Sequence, residues 1–180
     1  MVNLSSVIIL LINSALFGLF TKLADLTDEH KKKFFKGDSL LFGFLWGIFG
    51  SLVIIGNPLL GSFYLAILFH WILRGKIDYL NHRIALLIIL ITFIYKFNIA
   101  KFDWYLFTIT FIIYTVIGLL NDNKLIKKTW FTNLNIYSFI IIILFTLYNF
   151  KYVIVFYSYV LNSIFYQIPK KIYQKVNISR

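Results

Sequence analysis

Acidic side chains are scarce in this sequence, and most of them are concentrated in one segment. The chain contains 7 Asp and Glu residues, and four of them lie between residues 25 and 38. If a helix covers this segment, Asp25, Asp28 and Glu29 share one face, because residues three and four apart are neighbours on a helix. Carboxylate oxygens are the ligands that Mg²⁺ prefers, so these three residues are predicted to hold a magnesium cofactor. The alternative is a solvated helix end, whose surface ion pairs contribute about 0–1 kcal/mol.

A second set of chemically capable residues lies between residues 70 and 83. Four of them recur at intervals of four residues: His70, Arg74, Asp78 and His82. An unbroken helix would align them on one face. Gly75, together with an N-cap at Asn81, instead predicts that a helix ends near Arg74 and that a short turn follows.

The predicted catalytic residues come from this second set. Histidine transfers protons near neutral pH, and the predicted turn contains both Asp78 and His82. His70 would lie about one helical turn, roughly 6 Å, deeper than Arg74. At that depth it is predicted to be a proton carrier or ligand, the alternative being an interfacial histidine bonded to a backbone carbonyl. Catalytic roles are therefore predicted for Asp78, His82 and His70.

Cations beside both sets predict a phosphorylated substrate. Lysine and arginine bind phosphate through charge-assisted hydrogen bonds. If the two connections lie on the same side of a membrane, acids for a metal and cations for a phosphate would converge in one pocket. The predicted substrate-binding residues are Lys22, Arg74, Lys76 and Arg83.

The remaining acids have structural interpretations. Gly37 predicts the end of one helix, and Asp38 or Ser39 predicts the cap of the next. Asp122 is predicted to lie in a turn. Asp103, which precedes two aromatic residues, is predicted to belong to an interfacial belt.

The composition excludes an ordinary water-soluble domain. Of the 180 residues, 60% are hydrophobic and 14% are charged, whereas soluble domains carry about 45–50% apolar and about 25% charged residues. The mean hydropathy is +0.81. The chain has no cysteine, which excludes disulfides and thiolate chemistry. The net charge of +11 is therefore interpreted against a membrane rather than against nucleic acid.

Seven apolar runs are long enough to cross a hydrocarbon core of about 30 Å as helices. They cover residues 3–20, 39–55, 58–74, 83–100, 102–120, 134–150 and 152–168. The sequence thus predicts an all-α, polytopic transmembrane helical bundle that forms a single integral membrane domain over residues 1–180, with a tail at 169–180. Residues 149–152 contain neither glycine nor proline, so six spans are the alternative.

The cations are divided unequally between the two sides that seven spans define. Fifteen of the 18 lysines and arginines fall on one side, and three fall on the other. Because cytoplasmic loops carry an excess of lysine and arginine, we predict an external N-terminus and a cytoplasmic C-terminus in the plasma membrane.

Small residues predict where helices approach each other closely. In the second run Gly43, Gly47 and Ser51 recur every four residues, and the first run offers Ser14 and Gly18 at the same interval. Such stripes let two helices approach closely in lipid. We predict that the two stripes face each other and that the first three spans form the most tightly packed part. Homodimerisation through the stripe is the alternative.

Three functions fit these observations. The first is a magnesium-dependent membrane enzyme that acts on a phosphorylated lipid or isoprenoid-type substrate at the cytoplasmic leaflet. The second is a transporter or channel for a small solute or ion, which requires polar residues deep in the spans. The candidates are Asn13, Thr108, Thr110, Thr115, Asn135 and Asn162. The third is a non-catalytic subunit or assembly factor of a membrane complex. Membrane lipids are expected partners in each case, and nucleic acid is not.

Overall fold

The computed structural model of the chain describes residues 4–28, 31–97, 99–123 and 134–178. Seven α-helices account for most of them: α1 (Leu4–Asp28), α2 (Asp38–Gly56), α3 (Pro58–Leu73), α4 (Leu80–Lys96), α5 (Trp104–Asp122), α6 (Leu134–Tyr148) and α7 (Val153–Ile178). Two short 3-10 helices cover Ile99–Lys101 and Phe150–Tyr152, and no strand occurs within the described ranges. A helix lies at each of the seven predicted runs, so the all-α prediction is confirmed.

Local side-chain chemistry sets several helix ends. Gly37 (φ +85°) and Gly75 (φ +65°) adopt the left-handed backbone that favours glycine, and α3 ends at Leu73, just before Gly75. Asp38 begins α2, and its Oδ1 accepts a hydrogen bond from the Ser39 amide at 2.8 Å. The helix end predicted near Gly75 is therefore confirmed. The prediction that Gly37 ends a helix is wrong, because α1 ends at Asp28 and residues 31–37 form a loop before α2.

The start of α4 differs from the prediction. The residue before this helix, Tyr79, makes no capping hydrogen bond through its side chain. Asn81, predicted as the N-cap, lies inside the first turn and is fully buried. Its Nδ2 donates a hydrogen bond to the Ala24 carbonyl oxygen at 3.0 Å. The capping prediction was wrong because α4 begins at Leu80, so Asn81 lies inside the helix rather than before its first residue.

Several helices have the length and surface of membrane helices. Three of those in the described part of the chain, α1, α2 and α5, are long and apolar enough to cross a membrane, and α3 and most of α6 are shorter apolar helices. Apolar side chains are not confined to the interior, since Ile12, Leu87 and Ile112 are 53%, 59% and 52% exposed. An apolar surface of this extent is expected where lipid, rather than water, surrounds the helices. The chain therefore has the features of a membrane protein.

The chain divides into two compact units. The first comprises Met1–Gly56, Asp78–Phe97 and Tyr157–Arg180, and the second comprises Asn57–Ile77 and Asn98–Phe156. In the first unit α2 packs against both α1 and α4, whereas in the second unit α5 packs against α3 and α6. The first two predicted spans therefore pack against each other, whereas α3 belongs to the second unit. That the first three spans form the most tightly packed part stays a prediction.

The small residues of α2 face α4. A Cβ atom added to Gly43 would lie 2.6 Å from the Asn81 carbonyl oxygen, and one added to Gly47 would lie 3.0 Å from the Ala85 Cα. These distances are too short for a side chain, so the two glycines let the backbones of α2 and α4 approach each other. The stripe thus serves intramolecular packing, but its partner is α4 rather than α1.

The small residues of α1 face α7. Gly18 lies directly against the Asn162 carbonyl group. The hydroxyl oxygens of Ser14 and Ser158 are 2.7 Å apart, and Asn162 Nδ2 donates a hydrogen bond to the Ser14 carbonyl oxygen at 3.2 Å. The prediction that the stripes of α1 and α2 face each other is therefore wrong, because the stripe of α2 packs against α4 and the stripe of α1 packs against α7.

Asp103 connects three elements of the second unit. Its Oδ1 accepts a hydrogen bond from the Leu106 amide at 3.0 Å and so caps α5. Its own amide donates to Ser62 Oγ of α3 at 2.8 Å. Its Oδ2 accepts a hydrogen bond from the Tyr152 hydroxyl at 2.8 Å and lies 3.4 Å from Lys151 Nζ. Asp103 therefore has a structural role in this unit.

Candidate functional site

His82 of α4 lies between two carboxylates of the first unit. Its Nε2 is 3.5 Å from Asp25 Oδ1 on α1, and its Nδ1 is 3.6 Å from Asp78 Oδ1. The His82 and Asp25 side chains are 6% and 13% exposed, whereas the Asp78 side chain is 60% exposed. The three side chains form a row from a buried carboxylate to one that contacts solvent. The structure thus brings together three of the predicted site residues.

Two further side chains hold Asp25. Its Oδ2 accepts a hydrogen bond from the Tyr166 hydroxyl of α7 at 2.7 Å. The same oxygen lies 3.4 Å from Lys22 Nζ, whose side chain is 8% exposed. Lys22 Nζ is also 3.5 Å from the Tyr166 hydroxyl oxygen. Lys22, predicted to bind substrate, therefore belongs to the same cluster as Asp25.

Aromatic rings orient the imidazole of His82. Trp46 of α2 meets it edge to face, with ring centroids 5.3 Å apart and an interplanar angle of 89°. Tyr79 does the same at 5.5 Å and 87°. Such contacts are the preferred geometry of aromatic pairs. Because Asn81 also ties α4 to the Ala24 carbonyl of α1, residues of α1, α2 and α4 together set the position of His82.

The cluster is suited to proton transfer. The charges of Lys22 and Asp25 cancel each other. When His82 is protonated, its charge cancels that of Asp78 and the cluster is neutral overall. When His82 is neutral, the cluster carries one net negative charge. Neither state leaves a large uncompensated charge among buried groups. The two nitrogen–oxygen distances, 3.5 Å and 3.6 Å, slightly exceed an ordinary hydrogen bond. His82 can therefore act as a donor or as an acceptor of a proton.

The carboxylates predicted to hold magnesium do not converge in the described part of the chain. Asp28 faces α2, where its Oδ1 accepts a hydrogen bond from Ser39 Oγ at 2.7 Å, whereas Asp25 faces α7 and α4. Glu29 lies outside the described residues. No group of three or more His, Asp or Glu side chains among the residues that the structure describes is arranged to hold a metal ion. The magnesium site therefore stays a prediction.

Two predicted phosphate-binding cations pair with an acid in the second unit. Arg74 Nε and Nη2 each donate to one oxygen of Asp122 at 2.7 Å. Lys76 Nζ lies 3.2 Å from Asp122 Oδ1. Asp122 is the last residue of α5 rather than part of a turn, so the turn interpretation was wrong. Arg83, the fourth predicted cation, is exposed on α4.

His70, predicted to be catalytic, is fully buried in the second unit. Its Nε2 lies 3.0 Å from Arg74 Nη1. Because a guanidinium group only donates hydrogen bonds, Nε2 accepts, and the neutral ring carries its proton on Nδ1. Within the described residues this Nδ1 has no hydrogen-bond partner, so the predicted bond to a backbone carbonyl is not found there. A role as proton carrier stays a prediction.

Two residues that contact the predicted site were missed from the sequence: Tyr166, which donates to Asp25, and Trp46, whose ring contacts His82. A signal for Tyr166 exists, because polar residues recur every four positions on α7 at Ser158, Asn162 and Tyr166. The stripe on α1 has the same interval at Ser14, Gly18 and Lys22. Matching intervals indicate two helices that face each other. No comparable signal distinguishes Trp46 from the other tryptophans.

No family model matches this chain, and no curated protein or solved structure is significantly similar to it. The His82 cluster consists of Lys22, Asp25, Asp78, His82 and Tyr166.

Proposed function

We propose that this chain is an integral membrane enzyme in which His82 transfers a proton to or from a lipid-type substrate. The observation that carries the proposal is the row of Asp25, His82 and Asp78, with a carboxylate 3.5 Å and 3.6 Å from the two ring nitrogens. Burying ionisable groups in an apolar helical protein is expensive, so they commonly mark functional sites. Structural ion pairs alone would not require a histidine between two acids.

The helix ends support a site at the membrane surface. Asp25 lies in the last turn of α1, which ends at Asp28, and His82 lies in the first turn of α4, which begins at Leu80. We propose further that all seven helices cross the plasma membrane with the N-terminus outside. The site then faces the cytoplasm, because fifteen of the 18 cations fall on the side that would carry it.

Each side chain has a distinct role in the proposed reaction. Asp78, which is 60% exposed, exchanges protons with water, and His82 passes them to or from the substrate. Asp25, held by Tyr166, orients the imidazole and balances its charge. A phosphorylated headgroup would be bound by exposed cations such as Arg83. No step is assigned to magnesium, since the described carboxylates do not converge on one point.

The proposal is tested by following lipids in nanodiscs. Purified protein is reconstituted with a total lipid extract that includes isoprenoid phosphates, and lipid species are followed over time by mass spectrometry. A general acid or base contributes about 10²–10⁴-fold, so we expect His82→Gln to slow the wild-type conversion by about 100-fold or more. The matched control is Asp103→Asn, which removes a carboxylate of the second unit. An unchanged rate in His82→Gln, or no lipid altered by the wild type, would contradict the proposal.

A transporter is a second candidate, favoured by polar contacts inside the interface of α1 and α7. Ser14 and Ser158 are fully buried with their hydroxyl oxygens 2.7 Å apart, and Asn162 donates to the Ser14 carbonyl oxygen. Polar groups that face each other within apolar helices are what a path for a solute or proton requires. Proteoliposomes that enclose a pH-sensitive dye separate the two candidates. Proton flux that His82→Gln abolishes, without any lipid conversion, would favour the transporter.

A further inference from the structure

The loop that joins α1 to α2 is rich in lysine and phenylalanine. Its described part covers residues 31–37 and exposes Lys31, Lys33, Phe34, Phe35 and Lys36. The two phenylalanine side chains are large and apolar, yet they are 54% and 50% exposed. Because α1 and α2 are both long and apolar enough to cross a membrane, the loop between them would lie at a membrane surface.

The buried Asp38 holds the backbone of this loop. Its Oδ2 accepts hydrogen bonds from the amides of Phe34 and Phe35, the second at 3.3 Å. Both phenylalanine rings also contact Phe42 of α2 edge to face, with ring centroids 5.7 Å and 5.8 Å from the Phe42 centroid. The loop therefore presents its exposed side chains from a backbone that is already ordered, which lowers the entropic cost of binding.

The second half of α7 contributes to the same surface. Lys32 Nζ lies 4.7 Å from the centroid of the Tyr173 ring, a cation–π contact that joins the loop to α7. Lys170 and Lys171 are exposed beside it, and Ile172 is 60% exposed. Together, residues 31–36 and 170–173 form the lysine–phenylalanine surface.

The lysines of this surface form no salt bridge within the described part of the chain, although the charge of Lys33 acts on Asp38. They are Lys31, Lys32, Lys33, Lys36, Lys170 and Lys171. The described carboxylates of residues 25–38 contact other groups: Asp25 contacts Tyr166 and Lys22, Asp28 accepts a hydrogen bond from Ser39, and Asp38 accepts hydrogen bonds from loop amides. No salt bridge among the described residues involves any of the six lysines. Such a concentration of positive charge attracts an anionic partner.

We propose that the lysine–phenylalanine surface binds the headgroups of anionic phospholipids. The lysines contact lipid phosphates, while Phe34 and Phe35 enter the boundary between headgroups and acyl chains. A lipid surface is favoured over a nucleic acid or an acidic protein because the exposed phenylalanines lie between two helices that are apolar enough to cross a membrane, next to the acyl layer that the rings can enter. The proposal does not depend on the proton-transfer role of His82.

The test measures lipid retention by the full-length protein. Protein in detergent is mixed with phosphatidylglycerol or phosphatidylcholine, and bound lipids are counted by native mass spectrometry. A lysine near an anionic surface contributes about 1 kcal/mol, which is roughly a fivefold change in binding. We expect the wild type to retain phosphatidylglycerol preferentially. The Lys31→Gln/Lys33→Gln variant should lose about tenfold or more of that binding, and the matched control Lys96→Gln/Lys101→Gln should not.

A second variant separates lipid from other anions. Phe34→Ser/Phe35→Ser should weaken phosphatidylglycerol binding and leave the binding of polyglutamate unchanged, with circular dichroism used to verify folding. Three results would overturn the proposal. The wild type could retain the two lipids equally, or the control variant could lose as much phosphatidylglycerol binding as the Lys31→Gln/Lys33→Gln variant. The third is polyglutamate binding that exceeds lipid binding and does not change when the phenylalanines are replaced.

Discussion

Tyr166 on α7 donates a hydrogen bond of 2.7 Å to Asp25 on α1, so the last turn of α1 is tied to a helix from the far end of the sequence. The other oxygen of the same carboxylate faces His82. A single aspartate is therefore positioned by one helix and presented to the histidine of another. This relationship makes Tyr166 a positioning residue of the proposed site.

Removing the Tyr166 hydroxyl should destabilise the first unit. Hydrogen bonds to a charged group contribute about 1.5–3 kcal/mol, and the Asp25 side chain that accepts this one is 13% exposed. We expect Tyr166→Phe to lower the free energy of unfolding by about that amount, measured by denaturation in mixed micelles. Tyr95→Phe is the control, because the Tyr95 side chain is exposed. An equal effect of both substitutions would show that the hydrogen bond has no special contribution.

Asp25 and Asp28 lie one turn apart on α1 but should differ in function. Asp25→Asn removes the charge that faces His82, so we expect it to slow lipid conversion by about 100-fold. Asp28→Asn changes a carboxylate that accepts a hydrogen bond from Ser39 and should leave the rate within a few fold. Lipid mass spectrometry in nanodiscs measures both. Equal losses that added Mg²⁺ restores would instead support the magnesium site.

Gly43 should not tolerate even a methyl group. A Cβ at this position would lie 2.6 Å from the Asn81 carbonyl oxygen, which is backbone and cannot move independently. Overpacking of this kind costs about 1–3 kcal/mol. Gly56→Ala is the matched control, because its Cβ would meet only the flexible end of Leu10 at 2.7 Å. We expect thermal unfolding in detergent to show a clear loss for Gly43→Ala and a smaller one for the control. The reverse order would contradict the packing of α2 on α4.

Asp103 should make stability depend on pH in the acidic range. Burial raises the pKa of its carboxyl, but hydrogen bonds from the Leu106 amide and the Tyr152 hydroxyl, with the charge of Lys151, bring that pKa below its ordinary value. A carboxyl with a depressed pKa stabilises the folded state above its unfolded-state pKa of about 3.9. That stability is lost as the pH falls through the lower, folded-state pKa.

The measurement is the midpoint of thermal unfolding in detergent between about pH 6 and pH 2, a range that brackets this carboxyl. The wild type should lose stability below about pH 4, and Asp103→Asn should lose less over the same interval. Identical pH profiles for the two proteins would show that Asp103 contributes nothing to this dependence.

The orientation in the membrane can be mapped directly, because the chain has no cysteine. Single-cysteine variants at Lys101 and Lys151 should react with a membrane-impermeant maleimide on intact cells. Variants at Lys33 and Lys76 should react only after permeabilisation, since positively charged loops face the cytoplasm. If only Lys151→Cys is protected from the maleimide, the result supports six spans. If Lys33→Cys and Lys76→Cys react on intact cells and the other two variants do not, the orientation is the reverse of the one proposed.

Predictions that rest on local properties agreed well with the structure. The run at 58–74 corresponds to α3 (Pro58–Leu73), and the run at 39–55 corresponds to α2 (Asp38–Gly56). The helix end near Gly75 was correctly predicted. Hydropathy and backbone freedom depend on a residue and its near neighbours. Such features can therefore be predicted from one sequence.

Predictions about which helices meet were less successful. The stripe containing Gly43 was correctly identified as a packing surface, but its partner is α4. Asp122 was interpreted as a turn residue, yet it accepts two hydrogen bonds from Arg74. In both cases the residue type was informative, while the partner depended on a helix distant in sequence.

The sequence by itself determined that this chain is helical and apolar, and that its few ionisable residues cluster near helix ends. Only the tertiary structure decided that His82 meets Asp25, and that Arg74 and Lys76 meet Asp122. The physical reason lies in the range and direction of the interactions. Apolar burial is non-directional and is satisfied by any helix that covers a face. A hydrogen bond needs two particular atoms about 3 Å apart, and only the packing of distant segments brings those atoms together.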